Sequence, residues 1–234
     1  RLNAEIDEAF RRGSLAAIGW PMDDELRTSG NAVPPEVRGI VDLMNRVERE
    51  EPAERMEPVL TADPSLAFRL LRYLNSSSFG LRSEITSFKH ALMLLGHQRL
   101  KRWLALLLAS GSRNIAARPL MIVAARRGLM MEGLARGLGD EAMRGEMFIC
   151  GVFSLLDRLM GQPFADLLAH VPVQHGVQQS LLGDGPYTQH LALVQAVEQA
   201  SVFDMREAAD RVLIARSELN RSVLEALAMA RELD

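Results

Sequence analysis

VLTADPSLAFRLLRYLNSSSFGLRSEITSFKHALMLLGHQRLKRWLALLL, residues 59–108, decides how this chain folds. Asp63 stands where a side-chain oxygen can accept from the free N–H groups of a helix start. Pro64 follows with its φ preset and no N–H to leave unpaired. Leu66, Leu70 and Leu74 recur every four residues with Ala67 and Leu71 beside them, one apolar stripe of a helix. Arg69 and Arg72 fall off that stripe. Asn75-Ser76-Ser77-Ser78 should end the helix, because short polar side chains compete for backbone partners, and Gly80 suits a turn with positive φ. Thr86 or Ser87 can start a short helix that Gly96 stops. Leu100, Trp103, Leu104, Leu107 and Leu108 then mark the inner face of a longer helix that Gly111 closes.

Asp63-Pro64, Arg69-Leu70-Leu71-Arg72, Asn75-Ser76, Phe79-Gly80, Ile85, Ser87, Ala91 and Leu94-Leu95-Gly96 stand in an order and spacing that resembles the core of the HDOD domain. That is an all-helical bacterial signalling module, a metal-less relative of the HD and HD-GYP phosphohydrolases. The resemblance implies a multi-helix globule. It also implies a regulatory role exerted through contacts with other signalling proteins or with an adjacent domain, and a link to cyclic-dinucleotide signalling. The module often follows an EAL-type phosphodiesterase domain. Residues 1–26 would then be the tail of an upstream module or a linker, and 27–234 the HDOD domain with a C-terminal helical extension. Arg69, Arg72, Asn75, Ser76 and Phe79 are the expected interaction surface, although capping and turn packing explain Asn75, Phe79 and Gly80 as well.

The rest of the chain fits an all-α protein. Its 234 residues are 48% hydrophobic and only 5% aromatic, with 12 Met, a composition suited to Leu/Ala/Met helix packing. No alternating β-branched segment occurs, so little or no sheet is expected. The single cysteine, Cys150, sits in the apolar run Met147–Phe153 and reads as a buried structural thiol. No apolar run approaches the length of a membrane span and no leader is evident, so the cytoplasm is the expected compartment and no membrane partner is expected.

Charge is unevenly placed. Residues 1–60 carry 8 basic and 13 acidic side chains, 61–113 carry 8 and 2, and 114–234 carry 11 and 15, so the motif segment is +6 within a chain of net charge −3. That segment suits an acidic partner or a nucleic acid, or a solvated face neutralised by acidic helices elsewhere. Two helices joined at Gly96, the second bearing Arg99, Lys101 and Arg102, resemble a helix-turn-helix. The apolar run Trp103–Leu108 suits a core hairpin better.

Outside the motif, spacing predicts a short amphipathic helix over 1–12 with Leu2, Ile6 and Phe10 on one side. A helix opened by Pro34-Pro35 should turn Val37, Ile40, Val41, Met44 and Val47 inward, and a second should end near Thr61. Long helices are expected from Pro119 to about Leu138 and from Glu141 to Met160. Shorter ones follow over 163–170, 173–182 and 187–200. Ser201 to Asp204 interrupts the pattern, and 205–232 forms one or two helices.

Catalysis lacks its parts. Metal hydrolysis of the HD type needs neutral imidazoles and a carboxylate to fix ions that activate water. The five histidines, His90, His97, His170, His175 and His190, are followed by Ala, Gln, Val, Gly and Leu, so no His-Asp pair exists. By resemblance the tandem dyad falls on Ser154 and Leu155, and an upstream ligand near Arg127. These three are read as the relic of a lost metal site, with no metal and no cofactor expected. Gly183–Tyr187 holds the residues of a GYP signature in the wrong order. Asp157 stands near the relic positions, with Arg158 or a neighbouring helix as its other explanation. No G-x-S-x-G, phosphate-cradling loop or Cys pair occurs. Three functions remain open: an inert signalling module that acts by contact or senses a small ligand, a nucleic-acid-binding regulator using 61–113, and a residual phosphodiesterase.

Overall fold

Asp63 does what its place in the sequence asks: its Oδ1 accepts from the backbone N–H of Leu66 at 3.0 Å, and a helix starts at Pro64. The computed structural model describes residues 8–9, 11–14, 37–74, 88–110, 118–138 and 140–230. Asn75, Ser76, Phe79, Gly80, the Thr86-Ser87 helix start, Gly111, Leu2, Ile6, Phe10 and Pro34-Pro35 lie outside those residues. Within them the protein is all-helical, with twelve α-helices and no strand. Two compact units are formed, one from Ala32–Gly111 with Leu168–Val173, the other from Arg1–Asn31, Ser112–Leu167 and Gln174–Asp234.

The first unit holds α1 (Arg38–Glu48), α2 (Ala53–Ala62), α3 (Pro64–Leu74) and α4 (Phe88–Ala109). In α1 the buried face is Ile40, Leu43, Met44 and Val47. Leu43 takes the inward place expected of Val41, which is half-buried. Gly96 has φ 66° and ψ 166°, a backbone only glycine adopts freely, and it divides α4 into the two helices that the sequence predicts. Beyond it, Leu100, Trp103, Leu104 and Leu108 are buried, while Leu107 is half-buried. Both α1 and α2 pack on α4. Tyr73 of α3 stacks on Trp103 with ring centroids 6.0 Å apart. Part of the basic segment is neutralised here: Lys101 Nζ lies 2.8 Å from the Glu48 carboxylate.

The second unit is built on α5 (Arg118–Leu134), against which α6 (Glu141–Phe153), α10 (Thr188–Glu198) and α12 (Arg216–Ala230) pack. Leu120, Val123, Ala124, Ala125, Met130, Met131 and Leu134 bury nearly the whole circumference of α5, as an all-round apolar helix requires. It ends at Leu134 in a 3₁₀ turn over Ala135–Gly137, and Leu138, expected inside, is exposed. The expected 141–160 helix breaks at Ser154-Leu155 into α6 and α7 (Leu156–Met160). The remaining helices are α8 (Phe164–Leu168), α9 (His175–Leu181) and α11 (Val202–Arg211). The apparent interruption at Ser201–Asp204 is a helix start: Ser201 Oγ accepts from the Asp204 N–H at 3.3 Å.

Three helices stop in the same way. Glu50, Ala200 and Leu213 have φ of 52°, 54° and 56°. After each, the next N–H reaches back five residues, as from Ile214 to the Ala209 carbonyl at 3.0 Å. This is the Schellman stop, where glycine is favoured because a Cβ opposes left-handed backbone. Leu213 is 91% exposed and gains nothing from burial. Leu213→Gly is therefore expected to raise stability by about 1 kcal/mol, read as a higher urea midpoint at unchanged slope.

Candidate functional site

The closest approach of two helices sets this site. A Cβ on Gly151 of α6 would lie 2.6 Å from the Arg127 carbonyl oxygen and 2.7 Å from the Gly128 Cα. One on Gly128 would meet Val152 Cγ2 at 2.6 Å and the Phe148 carbonyl at 2.9 Å. Glycine at both positions lets the α5 and α6 backbones touch. Arg127 is thereby held against the end of α6, where Ser154 stands.

Arg127 is buried, and its guanidinium is fully engaged in a fork. Nε donates to Glu198 Oε1 and Oε2 at 3.0 and 2.9 Å, and Nη2 donates to Oε2 at 2.6 Å. Nη1 donates to Ser154 Oγ at 2.9 Å, and that hydroxyl donates to the Gly151 carbonyl at 2.7 Å. Both charged side chains are 3% exposed. Arg126 Nη2 lies 3.6 Å from the same carboxylate. Glu198 is the last residue of α10, the end of a helix where its dipole disfavours an anion, so the guanidinium holds it there and helix preference does not.

Two of the three residues read as the relic of a metal site therefore meet directly, while Leu155 turns into the apolar interior with 0% exposure. Glu198 was not anticipated. A doubled arginine inside an apolar helix does signal a buried carboxylate partner, but one sequence cannot say which. Asp157 sits on α7, half-buried, and its Oδ1 has no hydrogen-bond partner among the described residues. Burial pushes its carboxyl above the ordinary value, with the Arg158 backbone N–H and charge, and least of all the Arg127 charge, drawing it partway back.

The other singled-out residues have structural places. Cys150 is fully buried, and burial pushes its thiol up to about 12. Tyr187, from the Gly183–Tyr187 stretch, is buried and donates its hydroxyl to Glu146 Oε2 at 2.8 Å. Its phenol is raised by burial first and by Glu146 second. His97 Nε2 lies 3.2 Å from the Glu51 carbonyl. His170 and His175 are exposed, and His190 is half-buried and lowered by burial. No group of three His, Cys, Asp or Glu that could hold a metal ion occurs among the described residues. Arg69 is exposed on α3, and Arg72 falls on the same helix. No helix among the described residues is long and apolar enough to cross a membrane.

Over 199 residues, 83% of this chain and 48% of the other, the sequence is 29% identical to uncharacterized protein YuxH of Bacillus subtilis. Over 147 residues, 62% of this chain and 34% of the other, it is 29% identical to cyclic di-GMP phosphodiesterase CdgJ of Vibrio cholerae. The chain spans less than half the length of either relative. No solved structure matches it. The HDOD domain model matches residues 33–168, which leaves Glu198 beyond its end. Because that match covers more than half of the sequence, the chain belongs to the HDOD domain family.

Proposed function

We propose that this chain is a catalytically inert signalling module that works through contacts with other proteins or with an adjacent domain in a cyclic-di-GMP pathway. The Arg127–Glu198–Ser154 cluster carries this reading. Hydrolysis by a bound ion needs neutral imidazole and free carboxylate ligands around an open coordination position. Here a guanidinium, which cannot ligate and repels a cation, takes up both oxygens of the buried carboxylate beside it. These residues do not fit a metal. The name of the Vibrio cholerae relative supports the pathway. That each relative is more than twice as long as the matched segment supports a role beside another module, with an EAL-type domain as our proposal for it. Arg69 and the 65% exposed Phe68 on α3 supply one contact surface.

The test is direct. Purified protein incubated with Mn²⁺ should retain no stoichiometric metal and release no linear dinucleotide from cyclic di-GMP. Turnover abolished by a chelator would overturn the proposal. Arg69→Glu should weaken recovery of a partner captured by the full-length protein while leaving the thermal midpoint unchanged.

A further inference from the structure

We propose that Arg127 is a two-position clasp, closed on Glu198 in this structure and able to transfer to Asp157 when the last turn of α10 is drawn away. A buried carboxylate oxygen without a hydrogen bond is costly, and a fold keeps one only where something offsets it. Asp157 Oδ1 is such an oxygen. It belongs to α7, one turn past the Ser154 hydroxyl that Arg127 already holds, and the Arg127 charge acts on it. A second carboxylate thus stands within the field of a guanidinium bound to the first.

The first carboxylate is the movable one. Glu198 ends α10, and after it Gln199 and Ala200 are exposed, with Ala200 held at φ 54°. The Ala200 stop stores backbone strain, and the two exposed residues after Glu198 have little packing to lose. Asp157 lies three residues past Ser154 in the chain, and the Ser154 hydroxyl is bonded to the Gly151 carbonyl and not to either acid. Two discrete pairings of one buried cation form the kind of bistable element that a contact at the end of α10 can bias. The clasp adds a moving part to the signalling role proposed above and does not depend on it.

A double-mutant cycle decides it. In the native background Asp157→Asn should leave the thermal midpoint unchanged or raise it, because it removes a carboxylate that burial disfavours. In a Glu198→Gln background the same substitution should lower the midpoint, by about 2–4 °C or more, because Asp157 has become the partner of Arg127. The structure of Glu198→Gln should place an Arg127 nitrogen within hydrogen-bond distance of Asp157. An effect of Asp157→Asn with the same sign in both backgrounds would overturn the clasp. So would failure of Glu198→Gln to fold, since a second carboxylate is supposed to catch the charge. The cycle reads folding alone, and the metal and hydrolysis assays read the proposed function, so either can fail without the other.

Discussion

Arg127→Met is expected to cost about 3–5 kcal/mol, the loss that follows when one partner of a buried ion pair is removed. The Glu198 carboxylate, 3% exposed, would be left with Arg126 at 3.6 Å as the nearest cation shown to face it. Asp157 would lose the guanidinium that draws its carboxyl downward, and Ser154 Oγ would lose a donor. Arg127→Lys should recover only part of the loss, because an ammonium cannot donate from Nε and Nη2 to one carboxylate in a fork. Arg127→Met with Glu198→Met should be more stable than Arg127→Met alone, since the second change removes the stranded charge. Glu198→Gln should cost less than Arg127→Met, because an amide oxygen in place of the carboxylate can still accept from the guanidinium, whereas methionine offers the buried carboxylate no donor. Urea unfolding of the four variants measures the order. A loss below about 1 kcal/mol for Arg127→Met would mean that the pair contributes little and that packing alone holds α10 to α5.

The fold was more legible than the site because the two rest on different ranges of information. Helix starts and stops are written locally. Asp63 caps, Gly96 stops, and the four-residue recurrence of Leu66 and Leu70 puts both in the core. Errors arose where local pattern and tertiary burial part company. In α5 nearly every face is covered, so periodicity marks no boundary, and Leu138 beyond its end is exposed. Ser201–Asp204 reads as a break because capping residues stand at both its ends, yet Ser201 is the N-cap of α11 and Asp204 lies in its first turn. Ser154 and Arg127 could be singled out only through the resemblance to a metal-binding superfamily. That they meet at 2.9 Å depends on Gly128 and Gly151, whose smallness has a meaning only across two helices. Glu198 lies 71 residues from Arg127, and no spacing rule connects them.

Gly151→Ala should be the most damaging single methyl addition along α6. Alanine suits a helix interior better than glycine, by about 1 kcal/mol, so local propensity predicts a gain. Tertiary contact decides otherwise. The new Cβ would stand 2.6 Å from the Arg127 carbonyl oxygen and 2.7 Å from its carbonyl carbon and the Gly128 Cα. These are backbone atoms of the most buried helix in the unit, and no side chain can rotate aside to relieve them. The helices must separate, which puts the cost at the upper end of overpacking, about 3 kcal/mol. Gly137→Ala is the control, because its Cβ would meet only the tip of Glu218 at 3.4 Å, so a neutral or small stabilising effect is expected. The difference reaches the site as well. Ser154 is one turn from Gly151, so pushing α6 outward stretches the bond between Ser154 Oγ and Arg127 Nη1 while leaving the Arg127–Glu198 fork intact. Proton exchange at the Arg127 guanidinium, followed by NMR in a folded Gly151→Ala variant, should therefore quicken at Nη1 and stay slow at Nε. Equal quickening at both would mean that the two glycines hold the whole cluster together and not the Ser154 arm alone.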